Sequence, residues 1–312
     1  MLAIAHLLGA AKRPDDCWTL EGIQDLASRE IAAELLGSHR ELLQADVKSV
    51  WIRWFIEAIF DLSRLQGAHF AQLYKIASGR IDTLFPDLLP DERLQIGRDI
   101  AHVAKMELHR RETRKRVKIP HEQRRRLLIS AGVHPRCWIC GSLFAEKAIE
   151  RFVTGDRIPI EQPPYVDFLK PRGLNERDLH IEVDHVVPFA AGGSDAENLR
   201  LACGWCNRVK SNRVSLYNVS SMTIDVQHPK LGTFAAPQPF WIIRLLAVRR
   251  RCEHPDGCRR TVDNTELTIA PKHAAGSVNP INMLVCCTEH DPLRINRLVP
   301  RRVLASSSGS SN

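Results

Sequence analysis

The chain has 312 residues, 44% of them hydrophobic and 26% charged. That is the balance of an ordinary soluble protein with room for two or three domains. No apolar run approaches the roughly 20 residues a spanning helix needs, which excludes a membrane protein of that kind. The net charge of +8 is uneven: residues 1–104 hold 11 Lys/Arg against 15 Asp/Glu, leaving 33 of the 44 basic and 21 of the 36 acidic residues for the remainder. The back portion is therefore the one expected to meet a polyanion.

Residues 1–104 read as a helical domain. The opening Met1–Gly9 is apolar with no basic segment ahead of it, and is expected to be a buried first helix rather than an export signal. Apolar residues at Ile23, Leu26, Ile31, Leu35, Leu36, Leu42 and Leu43 fall close to helical spacing. Residues 50–60 are too long and too apolar for a surface strand and predict a buried helix. Its aromatic residues Trp51, Trp54, Phe55 and Phe60 are expected in a core or dimer contact rather than a ligand pocket. Residues 84–91 read as a loop, with Asp91 the cap of the next helix.

Residues 105–130 form a basic helical linker, divided at Pro120. Its run of cations includes Arg114, Lys115 and Arg116, candidates for phosphate contact. Cys137-Trp138-Ile139-Cys140 follows as a first Cys-x-x-Cys knuckle, and Cys203-Gly204-Trp205-Cys206 is a second. Two such knuckles can turn four thiolates toward one tetrahedral zinc ion, the closed geometry of a structural site. Paired knuckles in a chain without an export signal read as metal sites, not disulfides, and place the protein in a reducing cytoplasm. Cys17 stands alone.

The insert 141–180 contains the loop-like Ile158–Pro164. Residues 181–187 alternate as a strand containing Asp184 and His185. Gly192-Gly193 marks a turn, Asn198–Leu201 leads into the second knuckle, and a helix is expected over 207–213, carrying Arg208, Lys210 and Arg213. His185 is the candidate general base because imidazole titrates near neutral pH. Asp184 and Asn207 offer hard oxygens suited to Mg²⁺. Lys210 and Arg208, with Arg213, are candidates for nucleic-acid phosphates.

Residues 221–304 repeat the theme. Cys252, Cys258, Cys287 and His290 are candidate ligands of a second zinc, with Cys286 or His254 as substitutes. Shifting Asn282–Asp291 onto Asn198–Asn207 and counting back from Pro271 puts Leu267 at the place of Asp184 and Thr268 at that of His185. This copy is expected to keep zinc and lack the base. His273 is read as a surface residue. Residues 305–312 are low complexity and expected to be disordered.

Together, the Asp-His pair, the lone Asn198, the second knuckle and Asn207 resemble the HNH endonucleases, in the subgroup with a four-cysteine zinc site behind a ββα-metal centre. Asn207 stands where His is common, giving His-Asn-Asn. The resemblance covers roughly residues 130 to 215, within a nuclease module expected over 131–220. It implies that Asp184 and Asn207 hold the catalytic divalent ion, Mg²⁺ or Mn²⁺, and that Asn198 braces the loop and orients the base. It also implies 5′-phosphate and 3′-hydroxyl ends.

The expected architecture is α+β: a helical N-terminal domain, a zinc-stabilised ββα-metal module, and a degenerate second ββα zinc module. The expected function is metal-dependent hydrolysis of double-stranded DNA. The setting would be restriction or antiviral defence, gated by the N-terminal domain, a regulatory protein or self-association through the helical domain. The rivals are a non-cleaving zinc protein that binds nucleic acid, and an RNA nuclease.

Overall fold

The computed structural model describes residues 5, 8, 19–111, 119–186, 198–228 and 232–303. Of the opening apolar stretch only Ala5 and Leu8 are described, and both are helical and exposed, so burial is not found at these two. Arg114, Lys115 and Arg116, Cys17, the Gly192-Gly193 turn and the tail 305–312 lie outside the described residues.

The stretch from Glu21 to Leu43, whose apolar residues fall close to helical spacing, forms two short helices and the start of a longer one. Helix α1, Leu20–Ala27, is capped by Thr19, whose side chain accepts from Gly22 N–H at 3.1 Å. A short α2 spans Ala33–Leu36. Gly37, at φ 57°, then reverses the chain into α3, Arg40–Ile59. Helices α4, Phe70–Leu84, and α5, Pro90–Arg111, follow. Pro90 opens α5, so Asp91 lies inside the first turn and is not the cap. The Glu92 carboxylate instead takes Leu89 N–H at 3.1 Å.

The described residues form two hydrophobic cores, and α3 enters both. Its far end gives Ile56, followed by Phe60, to a core with Leu73, Ala77, Ile81 and Ala101 of α4 and α5. Its near end gives Leu42 and Leu43 to the larger core that surrounds the cysteines. Among the described residues, neither core covers the stretch between them. Trp51 and Trp54 are each 59% exposed, so the buried helix expected over 50–60 is corrected: only its last turn is covered.

The near end of α3 is fixed by polar contacts as well. Asp46, 2% exposed, accepts Leu216 N–H at 2.6 Å and the Arg244 guanidinium at 2.7 Å. His39, fully buried, hydrogen-bonds Met283 O at 2.9 Å through Nε2 and takes Arg249 Nη2 at 2.9 Å on Nδ1. Burial holds the His39 imidazole below its ordinary pKa, against the pull of Glu253, which suits a neutral ring that donates on one side and accepts on the other. Replacing Asp46 by alanine strands the Leu216 amide and the guanidinium. The expected loss is about 3 kcal/mol, the low end for a broken buried pair because Arg244 reaches solvent. A urea midpoint unchanged from wild type would contradict it.

Beyond α6, His121–Ser130, and α7, Glu146–Thr154, the chain forms four antiparallel strand pairs among the described residues. Strand β1, Tyr165–Asp167, pairs with the last strand, β8, Leu298–Pro300. Strand β2, Ile181–His185, pairs with β3, Leu199–Cys203, which runs straight into α8, Gly204–Lys210. The helix expected over 207–213 thus begins three residues earlier, inside the knuckle, and ends at Lys210. Strand β4, Ile224–His228, pairs with β5, Gly232–Ala236. Helix α9, Pro239–Arg249, then packs its apolar residues into the larger core. Strand β6, Leu267–Pro271, pairs with β7, Met283–Cys287.

The β2–β3 and β6–β7 hairpins repeat one pattern. Ile181 faces Cys203 as Leu267 faces Cys287, and His185 faces Leu199 as Pro271 faces Met283. Val186 N–H donates to Asn198 O as Lys272 N–H donates to Asn282 O. Ahead of each hairpin, Arg136 bridges Leu143 as Arg251 bridges Thr261, each Arg preceding the first cysteine of its cluster. Trp138 N–H donates to Leu201 O as Glu253 N–H donates to Val285 O. The register corrects the sequence alignment. Ala270, not Leu267, takes the place of Asp184, and Pro271, not Thr268, that of His185. Matching on the Pro and Gly-Ser of the connecting loop misled, because strand pairing rather than loop wording sets which residues correspond.

Candidate metal centre and nuclease site

Four buried thiols converge behind the first hairpin. The Sγ atoms of Cys137, Cys140, Cys203 and Cys206 all lie within 4.8 Å of one another, close enough to surround one tetrahedral ion. Each knuckle supplies two ligands from one turn. In the first, Gly141 at φ 70° lets its N–H reach Cys137 O at 2.8 Å, and a Cβ there would fall 2.0 Å from Thr265 O. In the second, β3 delivers Cys203 and the first turn of α8 delivers Cys206. Arg172 Nη1 approaches Cys140 Sγ at 3.0 Å, supplying positive charge beside the thiolates. A buried all-sulfur set fits zinc or another soft tetrahedral ion.

A second set joins Cys252, Cys258, Cys287 and His290, also within 4.8 Å. Cys286, fully buried beside it, points elsewhere and is not in the set; burial pushes its thiol well above the ordinary range. His254 stacks on His290 with ring centroids 3.9 Å apart and is not in the set either. The two clusters are compatible with zinc at both places.

In front of the first cluster, β2 and α8 bring four polar residues onto one face. Asp184 and Glu182, two apart on a strand, share that face. Asn207 and Lys210, three apart on a helix, turn toward it. Lys210 Nζ donates to Asp184 Oδ1 at 2.8 Å and to His185 O at 2.5 Å. Asn207 Nδ2 donates to Glu182 Oε2. Trp138, from the first knuckle, donates its indole N–H to Asp184 Oδ2 at 3.0 Å, with Lys210 Nζ 5.9 Å from its ring centre. Asp184 is 5% exposed. Burial raises its pKa and the Lys210 ammonium opposes the rise. Asp184 on β2 and Asn207 on α8 each carry a hard oxygen of the kind a small divalent cation takes.

His185 ends β2 and is half-buried. Asn198 directly precedes β3. Of the expected phosphate contacts, Arg208 is held by Asp178, through Nε at 3.0 Å and Nη2 at 2.7 Å, although half its side chain is exposed. Arg213 bonds Val209 O at 2.8 Å and lies over the Phe240 ring. In the second hairpin Asp291 follows His290 as Asn207 follows Cys206. It is buried and bound to Arg297, which also holds Asp167 at 3.1 Å.

Sequence reasoning passed over Trp138, Glu182, Asp178 and Arg172. Glu182 was within reach, since a carboxylate two residues before Asp184 on a strand must share its face. The others meet the site only through folding.

Residues 173–213 match the family model for the HNH endonuclease, a domain match that runs from the turn before β2 to just past α8. No curated protein and no solved structure matches the chain.

Proposed function

With that HNH domain as premise, we propose that the protein is a metal-dependent endonuclease that hydrolyses phosphodiester bonds of double-stranded DNA. The observation that carries this is the shared face of β2 and α8. There β2 carries the buried Asp184 next to His185, Lys210 of α8 donates to Asp184, and Asn207 of α8 donates to Glu182 of β2, all within the matched segment. Asp184 and Asn207 are the residues that would hold a Mg²⁺ or Mn²⁺ ion, whose charge would offset that building on the phosphate and its leaving oxygen. His185 takes the proton from the attacking water. Lys210, tied to Asp184 and the His185 carbonyl, fixes the carboxylate and strand end and adds positive charge near the scissile phosphate.

Asn198 is assigned the task that its counterpart performs. Asn282 accepts His273 N–H at 2.9 Å and donates to His273 O and Ser277 O at 3.1 Å, stitching the segment after β6 to the start of β7. The second hairpin has Ala270 and Pro271 where the first has Asp184 and His185. This supports a degenerate copy, over 221–304, that holds zinc without the chemistry. The helical domain over 1–104 is assigned a gating role, as in a restriction or phage-defence effector, alone or with a regulatory partner.

Supercoiled plasmid incubated with the pure protein should be nicked or linearised with Mg²⁺ or Mn²⁺ and left intact with EDTA. Folded RNA run in parallel should survive. Preferential loss of the RNA would reassign the substrate. Retarded but uncut plasmid in every metal would favour a zinc protein that binds without cutting.

A further inference from the structure

We propose that Trp138, inside the first zinc knuckle, is a positioning residue for the catalytic Asp184, and that the second zinc module clamps it in place. The proposal rests on the nuclease assignment above and extends it to a residue outside the matched segment. It begins with how Asp184 is held. A carboxylate has two oxygens, and free rotation would let either meet the ion. Here the Trp138 indole N–H occupies Oδ2 at 3.0 Å, so Oδ1 is the oxygen left on the side of Lys210. Hydrogen-bond partners of ligating carboxylates fix their orientation, and their loss weakens metal binding.

Trp138 is itself held on three sides. It lies between Cys137 and Cys140, so closure of the thiolate set fixes the turn it stands on. Its N–H donates to Leu201 O on β3 at 3.0 Å. Its carbonyl accepts Arg250 Nη1 at 3.0 Å, from the residue after α9. Arg250 adopts a left-handed backbone, φ 56°, and its other nitrogen is anchored on Asp263 at 3.0 Å. The second module presses on the same knuckle elsewhere: Leu267 N–H donates to Cys140 O at 2.9 Å, and Gly141 abuts Thr265. A chain of direct contacts thus runs from the second module through the knuckle to the carboxylate.

The internal repeat offers a comparison. Where the first hairpin has the pair Trp138 and Asp184, the second has Glu253 and Ala270 at the matching register. Glu253 turns its carboxylate to Val285 N–H at 2.9 Å. The indole donor is present in the copy that has a carboxylate to orient and absent from the copy that has none. In this view the second module, lacking its own base, serves the first as a mechanical support.

The test measures Mn²⁺ binding to full-length, zinc-loaded protein by the loss of the free-ion paramagnetic signal, beside zinc content and plasmid cleavage. Trp138→Phe keeps an aromatic ring and removes the donor. Mn²⁺ affinity should fall on the order of tenfold, and zinc content should not change. The Mn²⁺ concentration for half-maximal cleavage should rise by the same factor, with kcat recovered at saturating metal. Arg250→Ala should weaken Mn²⁺ binding less, and its effect should vanish in the Trp138→Phe background, as expected for residues acting in series. Asp184→Ala should abolish the binding.

Unchanged Mn²⁺ affinity in Trp138→Phe overturns the proposal, as does Mn²⁺ binding that survives Asp184→Ala. If Trp138→Phe loses zinc, benzothienylalanine at 138, which has the indole shape without the N–H, replaces it in the same comparison. A wild-type protein that binds Mn²⁺ but leaves DNA and RNA uncut would undo the nuclease assignment alone, since the affinity comparison still decides the role of Trp138.

Discussion

Replacing His185 by alanine should lower plasmid cleavage by about 10²- to 10⁴-fold, the contribution of a positioned general base, and leave DNA binding unchanged. The fold gives reason to expect so clean a separation. His185 is the last residue of β2, and its backbone is fixed by the strand: the register pairs it with Leu199, and its carbonyl accepts Lys210 Nζ. The side chain is half-buried. Alanine there should keep the hairpin, the thiolate cluster and the Asp184 contacts, so a gel shift should match wild type while nicking vanishes. Full cleavage by the variant would remove His185 from the base role. A loss of gel shift together with cleavage would make it a binding residue.

Replacing Cys206 by serine should cost the first zinc and with it the folded back half of the chain. Cys206 is fully buried at the start of α8, and the cluster joins the first knuckle, β3 and α8 at one point. Structural zinc in small modules is worth about 10–16 kcal/mol of apparent binding energy, comparable with the 5–15 kcal/mol of a whole domain. Zinc content should fall by one equivalent, and the cooperative melt of the back half should be lost. Cys286→Ser is the informative companion. Cys286 is equally buried yet lies outside either thiol set, so its variant should keep both zincs. Full zinc in Cys206→Ser would show that the thiols do not share an ion.

How far the sequence spoke depended on how local each feature is. The knuckles, the β2 strand with Asp184 and His185, and the thiol sets are carried by spacings of a few residues, and they could be read directly. Helix α3 could be read as a helix but not as exposed. The aromatic character of Trp51 and Trp54 implied a core or a dimer contact, and among the described residues the two cores, one at each end of α3, leave both exposed. The register of β6 was misplaced by three residues because similar loop residues outweighed strand pairing. Arg208 was expected on phosphate from its place after the second knuckle. Its partner Asp178 lies thirty residues earlier, in a turn that the chain brings back only on folding. Trp138 lies inside the first knuckle, but its partner Asp184 is 46 positions away, beyond any periodicity.

Helix α3 also bears on how the protein can be dissected. A fragment cut at the apparent border near residue 104 would leave without Leu42, Leu43, Asp46 and His39. It would remove Leu42 and Leu43 from the larger core, strand the Arg244 guanidinium and uncover the Met283 carbonyl. Such a fragment is apt to aggregate or misbehave for reasons unrelated to its chemistry, and its silence in an assay would say nothing about catalysis. A workable shortened protein has to retain the chain from Gly37 onward, so that any gating domain and its nuclease are covalently and mechanically one object.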